Sequence, residues 1–95
     1  NQVWKKVIDT VHKGILIYGS GIGVCIAATR HNGIRAALCT HEFQAKGTRN
    51  HNDANVLCLA DRITAPALAC AMADIFLSEE FEGGRHERRV QMIEP

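Results

Sequence analysis

The sequence has almost no excess of either charge. Eleven Lys plus Arg stand against ten Asp plus Glu, a formal net charge of +1, so no broad basic field points to nucleic acid as a partner. Long hydrophobic runs are missing too: none approaches the roughly 20 apolar residues that cross a bilayer. The opening Asn1-Gln2-Val3-Trp4-Lys5-Lys6 is no signal peptide. These absences predict a soluble, cytoplasmic chain with no membrane partner. Cysteine is sparse and dispersed: Cys25, Cys39, Cys58 and Cys70 form no C-x-x-C pair and sit in apolar segments. That pattern excludes a disulfide framework and a clustered zinc site. It predicts reduced thiols in the interior, with Cys39, Cys58 and Cys70 acting as small hydrophobes. Repeats, low-complexity segments and internal linkers are absent, so residues 1–95 read as one domain. His12, His31 and His41 read as surface residues and Trp4 as a packing residue. No pair of these histidines has metal-ligand spacing with a carboxylate, and neither a metal nor another cofactor is expected.

What the chain does have is 46% apolar residues, enough for a packed core. Three short apolar segments stand out: 14–18, 34–39 and 55–60. Their continuous apolarity suits strands of a parallel sheet covered on both faces. Helical character fills the gaps. Residues 22–31 follow a glycine turn, 41–50 are polar and amphipathic, and 66–78 carry Leu68, Met72, Ile75 and Phe76 at helical spacing. Pro66 suits the first turn of that helix. A short helix over Val3–Asp9 is expected before the first strand, and the basic segment 85–93 suits a last helix. The alternation predicts a three-layer, Rossmann-like α/β fold with right-handed crossovers. Three strands make a narrow sheet with two bare edges, which points to further chain or a second subunit.

Three places carry possible chemistry. Gly19-Ser20-Gly21-Ile22-Gly23 follows a strand and opens a helix, where glycines turn N–H groups toward one point and the helix dipole favours an anion. A phosphate or a developing oxyanion suits such a loop, although a tight turn alone also uses glycine. Spacing excludes a dinucleotide fingerprint, since Val24 stands where its third glycine belongs. It also excludes a nucleophile elbow, since Tyr18 and Ile22 occupy its glycine positions. His51-Asn52-Asp53-Ala54-Asn55 reads as an Asx-rich turn, or as a proton-transferring imidazole beside a carboxamide. Arg85 and Arg89 lie one helical turn apart and can grip one anion, with His86 between them. The same segment also reads as a solvated basic end paired with Glu79, Glu80 and Glu82. Arg62 follows the third strand, at the end where open α/β sheets bind ligands.

At these residues the sequence resembles a known family. Gly19–Gly23, Ile26-Ala27-Ala28, Gly33–Cys39, His51–Leu57 and Phe81–Val90, in that order, closely resemble the ribose-5-phosphate isomerase type B family, which includes the galactose-6-phosphate isomerase subunits. The likeness covers roughly residues 14–93. It implies an aldose–ketose isomerase that interconverts ribose 5-phosphate and ribulose 5-phosphate through an enediolate. It implies that Gly19, Gly21 and Gly23 stabilise the enediolate oxygen and that Ser20 assists the reacting end. It further implies that His51 helps open the sugar ring, that Asn52 holds a hydroxyl, and that Arg62, Arg85, His86 and Arg89 bind phosphate. Sites shared between subunits follow from the family, hence a homodimer or tetramer.

Two departures bear on the chemistry. The family's catalytic Cys position is Tyr18 here, and a neutral phenol is a poor base at pH 7. The family's alternative Glu position is Val24. Cys25 lies one residue further, a rotation of about 100° on a helix, and is expected to face elsewhere. The family also begins with a strand, an Asp-His loop, a helix and another strand, which have no counterpart in these 95 residues. An amino-terminally incomplete isomerase domain is one reading. A non-catalytic sugar-phosphate-binding homologue, or the partner subunit of a galactose-6-phosphate isomerase-like complex, is the alternative.

Overall fold

The computed structural model describes residues 13–93; the helix expected over Val3–Asp9 and the readings of Trp4 and His12 lie outside them. Three strands, β1 (Gly14–Ile17), β2 (Ala36–Leu38) and β3 (Val56–Leu59), pair in parallel in the order β1-β3-β2. In register, Gly14 faces Val56 and Ala36 faces Val56 from the other side. β3 is the central strand, and all four of its residues are buried. A run of Val, Leu, Cys and Leu with no polar alternation fits that position, because both faces of the strand are covered.

Four helices complete the described chain: α1 (Ile22–Thr29), α2 (Glu42–Asn50), α3 (Pro66–Ser78) and α4 (Arg85–Ile93). Side chains alternate across the pleat. Leu57 and Leu59 pack with Met72, Phe76 and Ala45 under α2 and α3, with Ile15 and Ala37 at the margin. Val56 and Cys58 pack with Ala28 and Ile34 under α1, with Leu16, Val24 and Leu38 at the margin. The three layers are therefore α1, the sheet, and the α2/α3 pair. Strands and helices fall within two residues of the sequence expectation, and α3 matches it residue for residue.

Local chemistry sets the helix ends. Gln44 reaches back from the first turn of α2 to accept from the Thr40 N–H at 2.8 Å and the Thr40 hydroxyl at 3.0 Å, a reciprocal-capping contact displaced by one residue. Pro66 stands at the start of α3. Its far end is held by Lys13, whose Nζ donates to the carbonyls of Phe76 and Leu77 at 3.3 and 3.0 Å. α4 buries none of its residues. Two thiols behave as expected, Cys39 and Cys58 being buried, but Cys70 is exposed on α3. The apolar stripe of that helix passes through Met72 and Phe76, and the 3.6-residue period turns position 70 away from it. His31 is half-buried beside a cavity rather than on the open surface. Among the described residues no helix is long and apolar enough to cross a membrane.

Candidate functional site

The sequence-predicted residues gather at two places, at opposite ends of the strands. At the carboxyl end, β1 leads into the glycine loop. Gly19 and Gly21 have φ of 44° and 79°, the left-handed region that glycine enters without a Cβ penalty. The Gly21 N–H donates to the Tyr18 carbonyl at 2.6 Å, closing the turn. Arg62 donates its backbone N–H to the Gly19 carbonyl at 3.1 Å, which joins the loop after β3 to the glycine loop. Ser20 is exposed, and its Oγ accepts from the Ile22 N–H at 3.4 Å. Gly21 is the residue before α1. Helix geometry leaves the first-turn N–H groups of Gly23 and Val24 without an intrahelical acceptor, facing the strand end.

The position of the expected base is now visible. Tyr18 lies just past β1 with 63% of its surface exposed. Val24 packs inward beside Ala28 and Cys58. Cys25 also turns to the interior, against Cys58 and its neighbours. It packs against the same cluster as Val24, so the expected rotation of about 100° does not turn it elsewhere. Desolvation, with Cys25 as the next cause, pushes the Cys58 thiol up to about 12 and the Cys39 thiol to about 11.

The second place lies before β3, where α2 ends. Arg49, only 7% exposed, organises it. Its Nη1 donates to Asp53 Oδ1 and to the Ala54 carbonyl, both at 2.8 Å, and its Nε donates to the Glu79 carbonyl at 3.2 Å. Its guanidinium also stands 5.9 Å from the Phe76 ring centroid. Asp53 takes a left-handed φ of 50°, which an Asx residue tolerates, and its Oδ2 pairs with Arg35 at 3.2 Å. Asn55 accepts from the Arg35 N–H at 2.8 Å and donates to the Gly33 carbonyl at 2.6 Å. The Asx-rich turn is therefore a wired junction between β2, α2 and β3.

Asn50 extends that junction to the last helix. Its Nδ2 donates to Glu79 Oε1 at 3.1 Å and to the Glu80 carbonyl at 2.8 Å, and its own carbonyl accepts from the Glu82 N–H at 3.0 Å. The loop after α3 is thus fastened to the end of α2, which brings α4 against His51. The His51 and His86 rings stack at 4.3 Å with an 18° tilt. Glu82 Oε1 lies 3.8 Å from Nε2 of each. The His86 side chain is 13% exposed. Desolvation, followed by His51 and Arg85, pulls it below the usual imidazole range.

Arg85 and Arg89 line one cavity of about 330 Å³ with Gly84 and Arg88. Arg85 opens α4 directly after two left-handed glycines, where the helix dipole disfavours a cation and favours an anion. Asn52 is exposed and lines two cavities of about 420 and 280 Å³ flanking β2, and His51 lines the smaller. Chemically, one place offers N–H groups and a hydroxyl, and the other offers imidazoles, a carboxamide and guanidinium groups.

Sequence reasoning missed four residues at this second place: Arg49, Asn50, Glu82 and Arg88. Arg49 and Asn50 look like an ordinary polar helix end, and only burial sets them apart. Glu82 reads as part of a solvated acidic run, and its partners are fixed by the Asn50 bridge. Arg88 falls between the two arginines expected one turn apart, and all three line the cavity.

Comparisons with known proteins bear on the family and the fold. The family model described as Ribose/Galactose Isomerase matches residues 1–93. Ribose-5-phosphate isomerase B of Escherichia coli is 45% identical over 83 residues, which is 87% of this chain and 56% of that protein. The solved ribose-5-phosphate isomerase B of Clostridium thermocellum superposes with a TM-score of 0.92 at 44% identity, over 97% of this chain and 63% of that one. The Mycoplasma genitalium enzyme, solved with bound ribulose-5-phosphate, gives a TM-score of 0.90 at 44% identity, over 97% of this chain and 62% of that one. The chain therefore spans about 60% of the length of these relatives. With the family model matched almost end to end and the fold shared at this identity, the chain belongs to the ribose/galactose isomerase family.

Proposed function

We propose that residues 1–95 act as a domain of a cytoplasmic sugar-phosphate isomerase that interconverts ribose 5-phosphate and ribulose 5-phosphate. The observation that carries this reading is the loop in which Gly19 and Gly21, both left-handed, open α1 at the carboxyl end of β1. Isomerisation takes a proton from C2 of the aldose, moves its electron pair into the C1–C2 bond as an enediolate, and returns a proton at C1. Carbonyl and hydroxyl exchange places, and no external oxidant or reductant enters. The enediolate oxygen needs fixed donors, which the loop N–H groups and Ser20 supply in this reading. His51 moves a proton as the sugar ring opens, Asn52 holds a hydroxyl, and Tyr18 occupies the position next to the reacting carbon. Arg62, Arg85, His86 and Arg89 receive the phosphate, which anchors the substrate far from the bond being changed.

The two places lie at opposite ends of the strands, and four strand residues alone span about 13 Å. With C–C bonds of about 1.5 Å, a five-carbon sugar phosphate does not bridge that gap and both adjoining loops. The reading therefore includes a second copy of the chain, whose His51 and arginines complete the site at this chain's glycine loop. A homodimer, or a tetramer made of two such dimers, satisfies that requirement.

A second reading is favoured by Tyr18 and Val24, one exposed and one packed inward, which put neither a thiol nor a carboxylate beside the loop. There the chain binds sugar phosphate without turning it over, or serves a partner subunit of a galactose-6-phosphate isomerase-like complex. Ribulose 5-phosphate formation and ribose 5-phosphate titration, measured on the same sample up to millimolar substrate, separate the two. Turnover is expected, with binding weakened by about tenfold or more in Arg85→Ala. Binding without turnover selects the second reading, and absence of both overturns each.

A further inference from the structure

We propose that Glu82 is a positioning residue for the isomerisation, its carboxylate holding the His51 imidazole in the orientation and protonation state that opens the sugar ring. This role rests on the place proposed above for His51 in ring opening. The His51 and His86 rings stack at 4.3 Å with an 18° tilt, and Glu82 Oε1 lies 3.8 Å from Nε2 of each. In stacked rings the two Nε2–H bonds run side by side, so the carboxylate accepts from one ring at a time. Rotation of its exposed side chain shortens either distance to a hydrogen bond, a tightening common when a catalytic site fills.

The backbone beneath this contact is fixed independently of the carboxylate. The Glu82 N–H donates to the Asn50 carbonyl at 3.0 Å, and Asn50 Nδ2 holds Glu79 and Glu80 just before it. His86, with a side chain only 13% exposed, is the fixed ring; His51, at 52%, is the one a substrate reaches. Two imidazolium rings at this separation repel, so the stack takes up one proton and resists a second. The charged groups facing His86 are Glu82 from the loop after α3, His51 from the end of α2, and Arg85 and Arg89 from α4. Of these only Glu82 favours the proton. Without it, the arginines beside the stack drive that proton off.

With Nε2–H held by Glu82, Nδ1 is the His51 nitrogen left for the substrate. As the ring opens, the C1 hydroxyl gives up its proton, the C1–O4 bond breaks with its electron pair passing to O4, and O4 takes a proton. His51 supplies one proton and recovers the other, so it ends as it began, and Glu82 favours the charged ring that supplies it.

The test compares Glu82→Gln with Glu80→Gln, a matched loss of charge on an exposed neighbour, in the 95-residue chain. Histidine ring signals followed by NMR against pH, assigned through His51→Gln and His86→Gln, report on the stack without needing turnover. In Glu82→Gln the first proton should bind at a pH lower by about half a unit, the scale of an exposed ion pair, and Glu80→Gln should leave the titration unchanged. With ribose 5-phosphate, kcat should fall about tenfold or more in Glu82→Gln, and KM should stay within about twofold because the phosphate contacts are untouched. Circular dichroism melts confirm that the variants are folded, and glutamine keeps the backbone contact to Asn50. An unchanged titration in folded Glu82→Gln, an equal shift in Glu80→Gln, or a raised KM with unchanged kcat overturns the positioning role. If the parent chain shows no turnover, the isomerase reading fails, and the titration alone upholds or overturns the hold of Glu82 on the stack.

Discussion

A Cβ built at Gly21 lies 2.5 Å from Leu38 Cδ1 and 3.3 Å from the carbonyl carbon of Leu59, at a φ of +79°. The leucine methyl can move, but the backbone of the buried central strand cannot. The left-handed conformation alone costs a non-glycine residue about 1–2 kcal/mol. Gly21→Ala should therefore destabilise the fold by about 2 kcal/mol or more, adding overpacking to the backbone cost. Gly23 meets nothing within 4 Å and sits inside α1, where alanine is the better helix former. Gly23→Ala should stabilise by about 0.5–1 kcal/mol. Urea denaturation of both variants checks the pair, and equal effects would contradict the geometry. The sequence marks these glycines as one motif. Which of them the fold requires depends on Leu38 and Leu59, residues that reach the loop only after the sheet has formed.

Among the elements, β3 was the most legible, because an unbroken apolar run between polar turns has few other places to go. Its chemistry carries a testable consequence. Burial raises the thiols of Cys58 and Cys39 to about 12 and about 11 from an ordinary 9.0. Above pH 9 the unfolded chain ionises these groups while the folded chain keeps them neutral. Their contribution is fully present below that pH and is lost as pH climbs toward 11 and then 12. Each thiol steepens the decline by up to about 1.4 kcal/mol per pH unit. Stability measured by urea denaturation from neutral pH to about 11 should fall more gently in Cys58→Ala than in the parent chain. Parallel curves would show that burial does not hold the thiol neutral. The end of α2 was the least legible element. Arg49 and Asn50 look solvated by type, and their burial arises because the loop after α3 folds over them. Contacts some 30 residues distant along the chain leave no periodic trace.

For the whole molecule, the three-layer arrangement and the strand positions followed from hydrophobic pattern and the right-handed crossover rule. The division of the candidate site came instead from the family resemblance, which implied sites shared between subunits. Loops after parallel strands and loops before them open on opposite edges, so Ser20 and His51 cannot serve one small substrate within one chain. The shared-site dimer proposed above makes this a quantitative expectation. Ser20→Ala and His51→Ala should each depress turnover of ribose 5-phosphate in their own homodimers. In a mixed dimer, one site collects both substitutions and the other collects neither. Random exchange of subunits makes about half the dimers mixed, each with one intact site, so turnover should recover to about a quarter of the parent value. Mixing, partial unfolding in mild urea and refolding provides the exchange, and sedimentation confirms the dimer. No recovery in a confirmed mixed dimer would mean that both residues act within one subunit's site, and the pairing of opposite strand ends would have to be abandoned.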